Sequence, residues 1–186
     1  MNERAKTILN FWFKESSPED HFKRNENFDK KIRILFENDY KQAINNELED
    51  WQDESFSCLA LIILLDQFSR NLFRDNPQAF AYDNKTRLIV NEAIDRGDLE
   101  ILNIDEKFFL ILPLIHSEDI SDHIFAHKLA ETYLKKHPEY NNIKKSFDYH
   151  TIPIKKFGRY PHRNQVLGRK STNEEKKFLS NPNSSW

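Results

Sequence analysis

Four polar stretches in this chain have residue types and spacings suited to chemistry. The first is Asp66-Gln67-x-x-Arg70-Asn71-x-x-Arg74. On a helix, residues four apart share a face, so Asp66 and Arg70 are neighbours and Arg74 extends the stripe. They follow the apolar run Cys58–Leu65 and are carried toward the interior with it. Charges placed there must be paired or must bind something. The second stretch, His116-Ser117-Glu118-Asp119, follows Leu110–Ile115. A histidine such as His116 suits general acid–base work, with Glu118 to orient it or to act alone. Ser117 is a weak nucleophile candidate, because no Gly-x-Ser-x-Gly elbow surrounds it.

The third stretch runs over 155–170 and holds Lys155, Lys156, Arg159, Arg163, Arg169 and Lys170 with no acid. His162 and Asn164 lie within it. Clustered arginines suit a carboxylate or phosphate through forked, charge-assisted hydrogen bonds. The fourth is His123-x-x-x-His127-x-x-x-Glu131, which aligns three ligand-type residues on one helical face. Exposed helices produce that spacing freely, and no metal is assigned to it. Each cluster also has a structural reading. Asp66 and Arg70 can form an ion pair ending a core helix, residues 116–119 a loop and cap, and the arginines can close on Asp66, Glu118 and Asp119.

The elements that must position these groups are helices. Ala5, Ile8, Leu9 and Trp12 fall at helical intervals within Glu3–Lys14. Ser17-Pro18-Glu19-Asp20 reads as a cap opening a short turn that ends near Phe22. Phe28, Ile32, Leu35, Phe36, Tyr40, Ala43 and Ile44 make the cleanest amphipathic helix. Ser55–Asn71 is the expected central helix, nearly all apolar from Phe56 to Leu65 and running into the polar stretch Asp66–Asn71. Asn76-Pro77 restarts a helix that Gly97 ends. Asp105 is the expected cap of Glu106–Ile115, with a kink or early end at Pro113. Helices over Ser121–His137 and Tyr140–Phe157 follow, the latter bent or broken at Pro153. Ser171 or Thr172 caps a last helix anchored by Phe178 and Leu179. The expected fold is all-α: one domain of seven or eight helices in antiparallel pairs.

Composition limits the function classes. The chain has 186 residues, with 28 Lys+Arg against 30 Asp+Glu and a net charge of −2. No global field favours nucleic acid or an anionic membrane. The three glycines, Gly97, Gly158 and Gly168, fit neither a Walker loop nor a Rossmann fingerprint. The single cysteine, Cys58, excludes an internal disulfide and a cysteine-only zinc site. No apolar run approaches the ~20 residues needed to cross a bilayer, and no signal segment opens the chain. A soluble, cytoplasmic protein without a cofactor is expected.

Several of these segments together resemble a bacterial family called domain of unknown function 924. The resemblance rests on Phe11-Trp12-Phe13, Phe22, Phe28-Asp29, Leu64-Leu65-Asp66-Gln67-Phe68 with Arg70-Asn71, and Phe80 with Asp83. It continues through Leu112-Pro113, His116-Ser117-Glu118, His150, Phe157-Gly158-Arg159, Pro161-His162-Arg163-Asn164, Leu167-Gly168-Arg169 and Ser171-Thr172. Glu175, Phe178-Leu179 and the Ser-Ser-aromatic end complete it. Ser69 stands where the family pattern usually has proline, and Tyr160 where it has phenylalanine. The resemblance implies a tetratricopeptide-like, right-handed stack of helix pairs and implies no activity.

The functional expectation is one polar pocket for a small anionic molecule, with hydrolysis as the least demanding chemistry. Arg70, Arg159 and Arg163 would grip the anion beside Asp66, Gln67, Asn71 and Asn164. His116 or His162 would handle a proton, with Glu118 orienting it. The alternative is an adaptor that binds a peptide or protein in a groove between helices. The tail 180–186 is expected to pack on the body near the basic segment, with Trp186 docked.

Overall fold

The computed structural model describes residues 1–182 and 184, and among them ten helices are present and no strand. The expected seven or eight were too few because short capped turns between long helices are helical themselves. The docking of Trp186 lies outside the described residues.

Helix α1, Glu3–Asn10, is capped by the Asn2 side chain and continues into a π-helical turn, Phe11–Glu15. Helix α2, Pro18–Phe22, opens with the reciprocal Ser17–Asp20 capping box. Helix α3, Glu26–Ile44, buries Phe28, Ile32, Phe36 and Tyr40 along one stripe. The central helix α4 begins at Ser55–Ile62, passes through a π-helical turn at Ile63–Phe68 and ends with Ser69–Leu72. Every residue of that π turn is buried, Asp66 and Gln67 included. A π turn inserts an extra residue per turn, which rotates the following side chains relative to a regular helix; such turns recur at functional sites.

After a 3₁₀ turn, Pro77–Phe80, helix α5 spans Asp83–Arg96 and stops at Gly97, whose φ of 93° places it in the left-handed region. Helix α6, Asp98–Ile101, is a single turn. Helix α7 spans Ile104–His116. Its cap is Asn103, which forms a capping box with Glu106, in place of the expected Asp105. Pro113 does not end this helix, which runs on to His116. Helix α8, Ile120–Tyr133, starts from the Asp119 cap. Helix α9, Tyr140–Phe157, likewise runs through Pro153 and ends at the left-handed Gly158. After a 3₁₀ turn at Pro161–Arg163, helix α10, Asn173–Leu179, starts from a Thr172–Glu175 capping box.

The α4 helix packs against α1, α3, α5 and α7; α7 packs on α8, and α8 on α9. One contiguous core unites them, with Trp12, Phe36 and Phe68 among its fully buried side chains. Phe68 meets Phe11, Trp12 and Phe36 with ring centroids 6.0, 5.5 and 5.1 Å away. These rings clamp the π turn and so fix where Asp66 points. None of the helices among the described residues is long and apolar enough to cross a membrane.

Truncating the clamp should cost heavily. Phe68→Ala is expected to destabilise by about 3–5 kcal/mol. At roughly 2–4 °C per kcal/mol for a chain of this size, calorimetry should show a fall in Tm of about 6–20 °C.

Candidate functional site

Asp66 has no exposed surface. Burial by itself would push its carboxyl upward in pKa. The nearby Arg70 guanidinium and the His116 ring overcome that and bring it down to about 2. Its oxygens are taken on both sides. Gln67 Nε2 donates to Oδ2 at 2.5 Å, His116 Nδ1 lies 2.8 Å from Oδ1, and Arg70 Nη1 lies 3.3 Å from Oδ1. An ionised carboxylate only accepts hydrogen bonds. Nδ1 of His116 therefore donates to Asp66, and whenever the ring is neutral the lone pair is on Nε2.

The Arg70 guanidinium is held as tightly as Asp66. It donates to the Asp66 carbonyl at 2.5 Å and to both Asp83 oxygens at 3.1 and 3.2 Å. Asp83 opens helix α5, where a negative charge also favours the helix dipole. Arg163 adds a further bond to Asp83 at 3.0 Å and donates to the His116 carbonyl at 3.0 Å. Its guanidinium lies between the rings of Phe80 and Tyr160, 4.4 and 4.6 Å from their centroids. Tyr160 donates its hydroxyl to the Ile115 carbonyl. The last carbonyls of a helix lack intrahelical partners. Arg163 and Tyr160 thus cap the end of α7, which carries His116.

Glu118 ties the C-terminal segment to this end of the molecule. It accepts from the Tyr160 backbone N–H at 2.8 Å and from Arg169 at 2.7 and 2.9 Å. Burial acts to raise its carboxyl, and Arg169 with the Tyr160 amide holds it below the ordinary range. Three carboxylates, Asp66, Asp83 and Glu118, thus face three guanidiniums, Arg70, Arg163 and Arg169.

These groups border a cavity of about 680 Å³, lined among others by Phe80, Asp83, Arg87, His116, Glu118 and Arg163. Of the residues singled out in the sequence, His116, Glu118 and Arg163 line it, and Asp66, Gln67 and Arg70 stand behind His116. Others do not join them. Asn71 turns to Asp29, which also holds Arg74. Arg159 is spent on Glu175, at 2.6 and 2.9 Å, and does not reach the cavity. Asn164 bonds Ser171 at 3.1 Å, and His162 packs on Tyr160 with ring centroids 5.3 Å apart. The side chain that orients His116 is Asp66, since Glu118 is occupied by Arg169 and Tyr160. A triple arginine grip is likewise replaced: Arg70 and Arg159 are paired internally, and Arg163 alone of the three lines the cavity.

Asp83 and Arg87 belong to the site, although neither was among its candidates. They lie near the start of an amphipathic helix, where polar residues are common, and only the packing of α5 brings them to His116. Ser69, at the position of the usual proline, keeps its turn by another route. Its hydroxyl lies 3.0 Å from the Asp66 carbonyl and 3.2 Å from that of Ala79.

Beside the cavity runs a seam of histidines between α8 and α9. His123 Nδ1 and His127 Nε2 both meet the Thr151 hydroxyl at 3.0 Å, while Glu131 is exposed to solvent. The three do not converge, and among the described residues no group of three or more such side chains is placed to hold a metal ion. Burial lowers His123 and His127 and pushes His150 and His162 down to about 3.

A sequence model of a bacterial family described as a protein of unknown function, DUF924, matches residues 8–183. The chain is also similar to the solved structure of a protein of unknown function from Agrobacterium tumefaciens. The two share 34% identity over 95% of this chain and 96% of that one, with a TM-score of 0.87. No curated protein matches it.

The histidine seam makes stability depend on pH with a definite sign. His150 and His162 stay neutral in the fold down to about pH 3, whereas an unfolded histidine protonates near 6.5. The unfolded chain binds the extra protons, so stability is full above about 6.5 and falls as pH drops toward 3. Each group contributes about 1.4 kcal/mol per pH unit in that window. Denaturant unfolding between pH 7 and 5 should show this slope, and His150→Gln should make it shallower by about one proton.

Proposed function

This chain belongs to the DUF924 family of bacterial proteins, and we propose that its cavity is a small-molecule reaction site in which His116 is the catalytic base. The observation that carries this reading is the His116–Asp66 pair at 2.8 Å, opening onto a cavity of about 680 Å³. An imidazole whose Nδ1–H is fixed on a buried carboxylate is the arrangement that general-base catalysis needs. Asp66 is then a positioning residue, and Gln67 and Arg70 hold it in turn. Among the described residues no protein group hydrogen-bonds His116 Nε2, which leaves it to substrate or water.

Hydrolysis is the simplest chemistry consistent with this. Nε2 takes a proton from water as the water oxygen bonds to an electrophilic carbonyl carbon or phosphorus. The imidazolium returns that proton to the leaving group as its bond breaks. The Asp66 carboxylate stabilises the transient charge on the ring. Arg163 and Glu118 serve the site indirectly, by capping α7 and tying 158–169 across it. The short connections joining α7, α8 and α9 support a tetratricopeptide-like stack within one domain as the frame for this site. The peptide-adaptor alternative has no comparable observation behind it.

Screening ester, amide and phosphoester panels with the full chain and with His116→Gln tests the reading. Turnover of at least one class is expected, falling about 10²–10⁴-fold in the variant while its Tm stays within a few degrees. No turnover in any class, or full turnover in His116→Gln, would contradict it.

A further inference from the structure

Hydrogen-bonding capacity around the cavity is unequally used, and the imbalance says what a ligand must bring. The Asp83 and Glu118 acceptors are taken. Both Asp83 oxygens are held by Arg70 and one also by Arg163, and both Glu118 oxygens by Arg169 or the Tyr160 amide. Asp119 accepts from the backbone and hydroxyl of Ser121 in capping α8. The donors are not. Arg87 lines the cavity with a side chain 29% exposed. Among the described residues its carboxylate neighbour within ion-pair reach is Asp122, 3.6 Å away and beyond hydrogen-bonding distance. It otherwise donates to the neutral Asn84 amide at 3.0 Å. Every other arginine of this region makes charge-assisted bonds of 3.2 Å or less to a carboxylate.

Arg163 adds to the surplus. It is 6% exposed, and its buried Nε–H has no partner. Burial lowers the pKa of its guanidinium, against the pull of Asp83. At the same wall the first turn of α5 receives no side-chain cap. The cavity therefore has donors and positive charge in reserve, while its Asp83 and Glu118 carboxylates are already satisfied. A cationic ligand, or one without acceptor oxygens, would leave Arg87 without a charged partner.

Resting on the general-base reading of the same cavity, we infer that its substrate carries an oxyanion, a carboxylate or phosphate group, and that Arg87 is the residue that anchors it. A planar guanidinium fits either group through two parallel N–H bonds. With the anion held at Arg87, the remainder of the substrate lies within the cavity that His116 also lines. Asp122 competes for Arg87. Among the described residues its second oxygen is buried without a hydrogen bond, so the pair is loose on both sides.

The test is an NMR titration of the full-length protein with inorganic phosphate and, separately, with acetate. Ionic strength is held fixed with chloride. At least one anion should bind saturably, and the tighter of the two names the source, phosphate ester or carboxylate. Arg87→Gln should weaken that binding at least tenfold with the fold intact by amide spectrum. Asp122→Asn removes the competitor and should tighten it several-fold, an effect opposite in sign to that of breaking a structural pair. Saturation by neither anion, unchanged binding in Arg87→Gln, or weaker binding in Asp122→Asn would overturn the assignment. The base and the anchor fail separately. Anion binding retained in a protein with no turnover removes the base and keeps the anchor, while turnover of neutral substrates without anion binding removes the anchor and keeps the base.

Discussion

A carboxylate with no contact to water can stay ionised only if its surroundings replace the hydration it has lost. At Asp66 that requirement organises one end of the molecule. Gln67, His116 and Arg70 supply the donors and the opposing charge. Arg70 is itself mostly buried and needs more than Asp66, so it reaches Asp83. Asp83 in turn holds Arg163, and Arg163 caps the carbonyl of His116. Each charge calls for the next, and the sequence of partners links α4, α5, α7 and the segment after α9. Removing one member of such a pair leaves the other buried alone, typically at a cost of about 3–5 kcal/mol. The network resists piecemeal change for that reason.

The same network underlies the proposed chemistry. Because Asp66 is kept ionised, His116 donates through Nδ1, and in the proposed reaction its other nitrogen serves as the base. Because Asp83 and Glu118 are consumed in holding Arg70, Arg163 and Arg169, the cavity wall has few acceptors left to offer. Its unmet capacity is in donors, with Arg87 foremost. Structural pairing and the proposed binding of an anion would then both follow from one distribution of charge.

Much of the frame was legible from apolar spacing and capping residues. The all-apolar stretch before Asp66 is the buried centre, Gly97 ends its helix in the left-handed conformation, and Ser17 and Thr172 cap theirs. Helical periodicity did not reveal the π turn at Ile63–Phe68, because the apolar run that leads into it, Cys58–Leu65, has no polar face to mark a change of phase. Of the alternatives at the prolines, the helix end is the one that does not occur: Pro113 and Pro153 each remove one backbone donor, yet α7 and α9 run on through them. In the site, the Asp66, Arg70 and His116 cluster could be read from its position beside apolar segments. Which arginine meets which carboxylate could not, since Arg159–Glu175 and Arg163–Asp83 are decided by tertiary packing over 16 and 80 residues. Arg87 lay hidden among the ordinary polar residues of an amphipathic helix.

The most direct measurement is the tautomer of His116, from long-range proton–nitrogen correlation spectra of histidine side chains at alkaline pH, assigned by difference with His116→Gln. The expected result is a neutral ring protonated at Nδ1, with that signature disturbed when Asp66 is replaced by asparagine. A ring protonated at Nε2, or one indifferent to Asp66, would contradict the account, because the buried carboxylate would then not be presenting a base to the cavity.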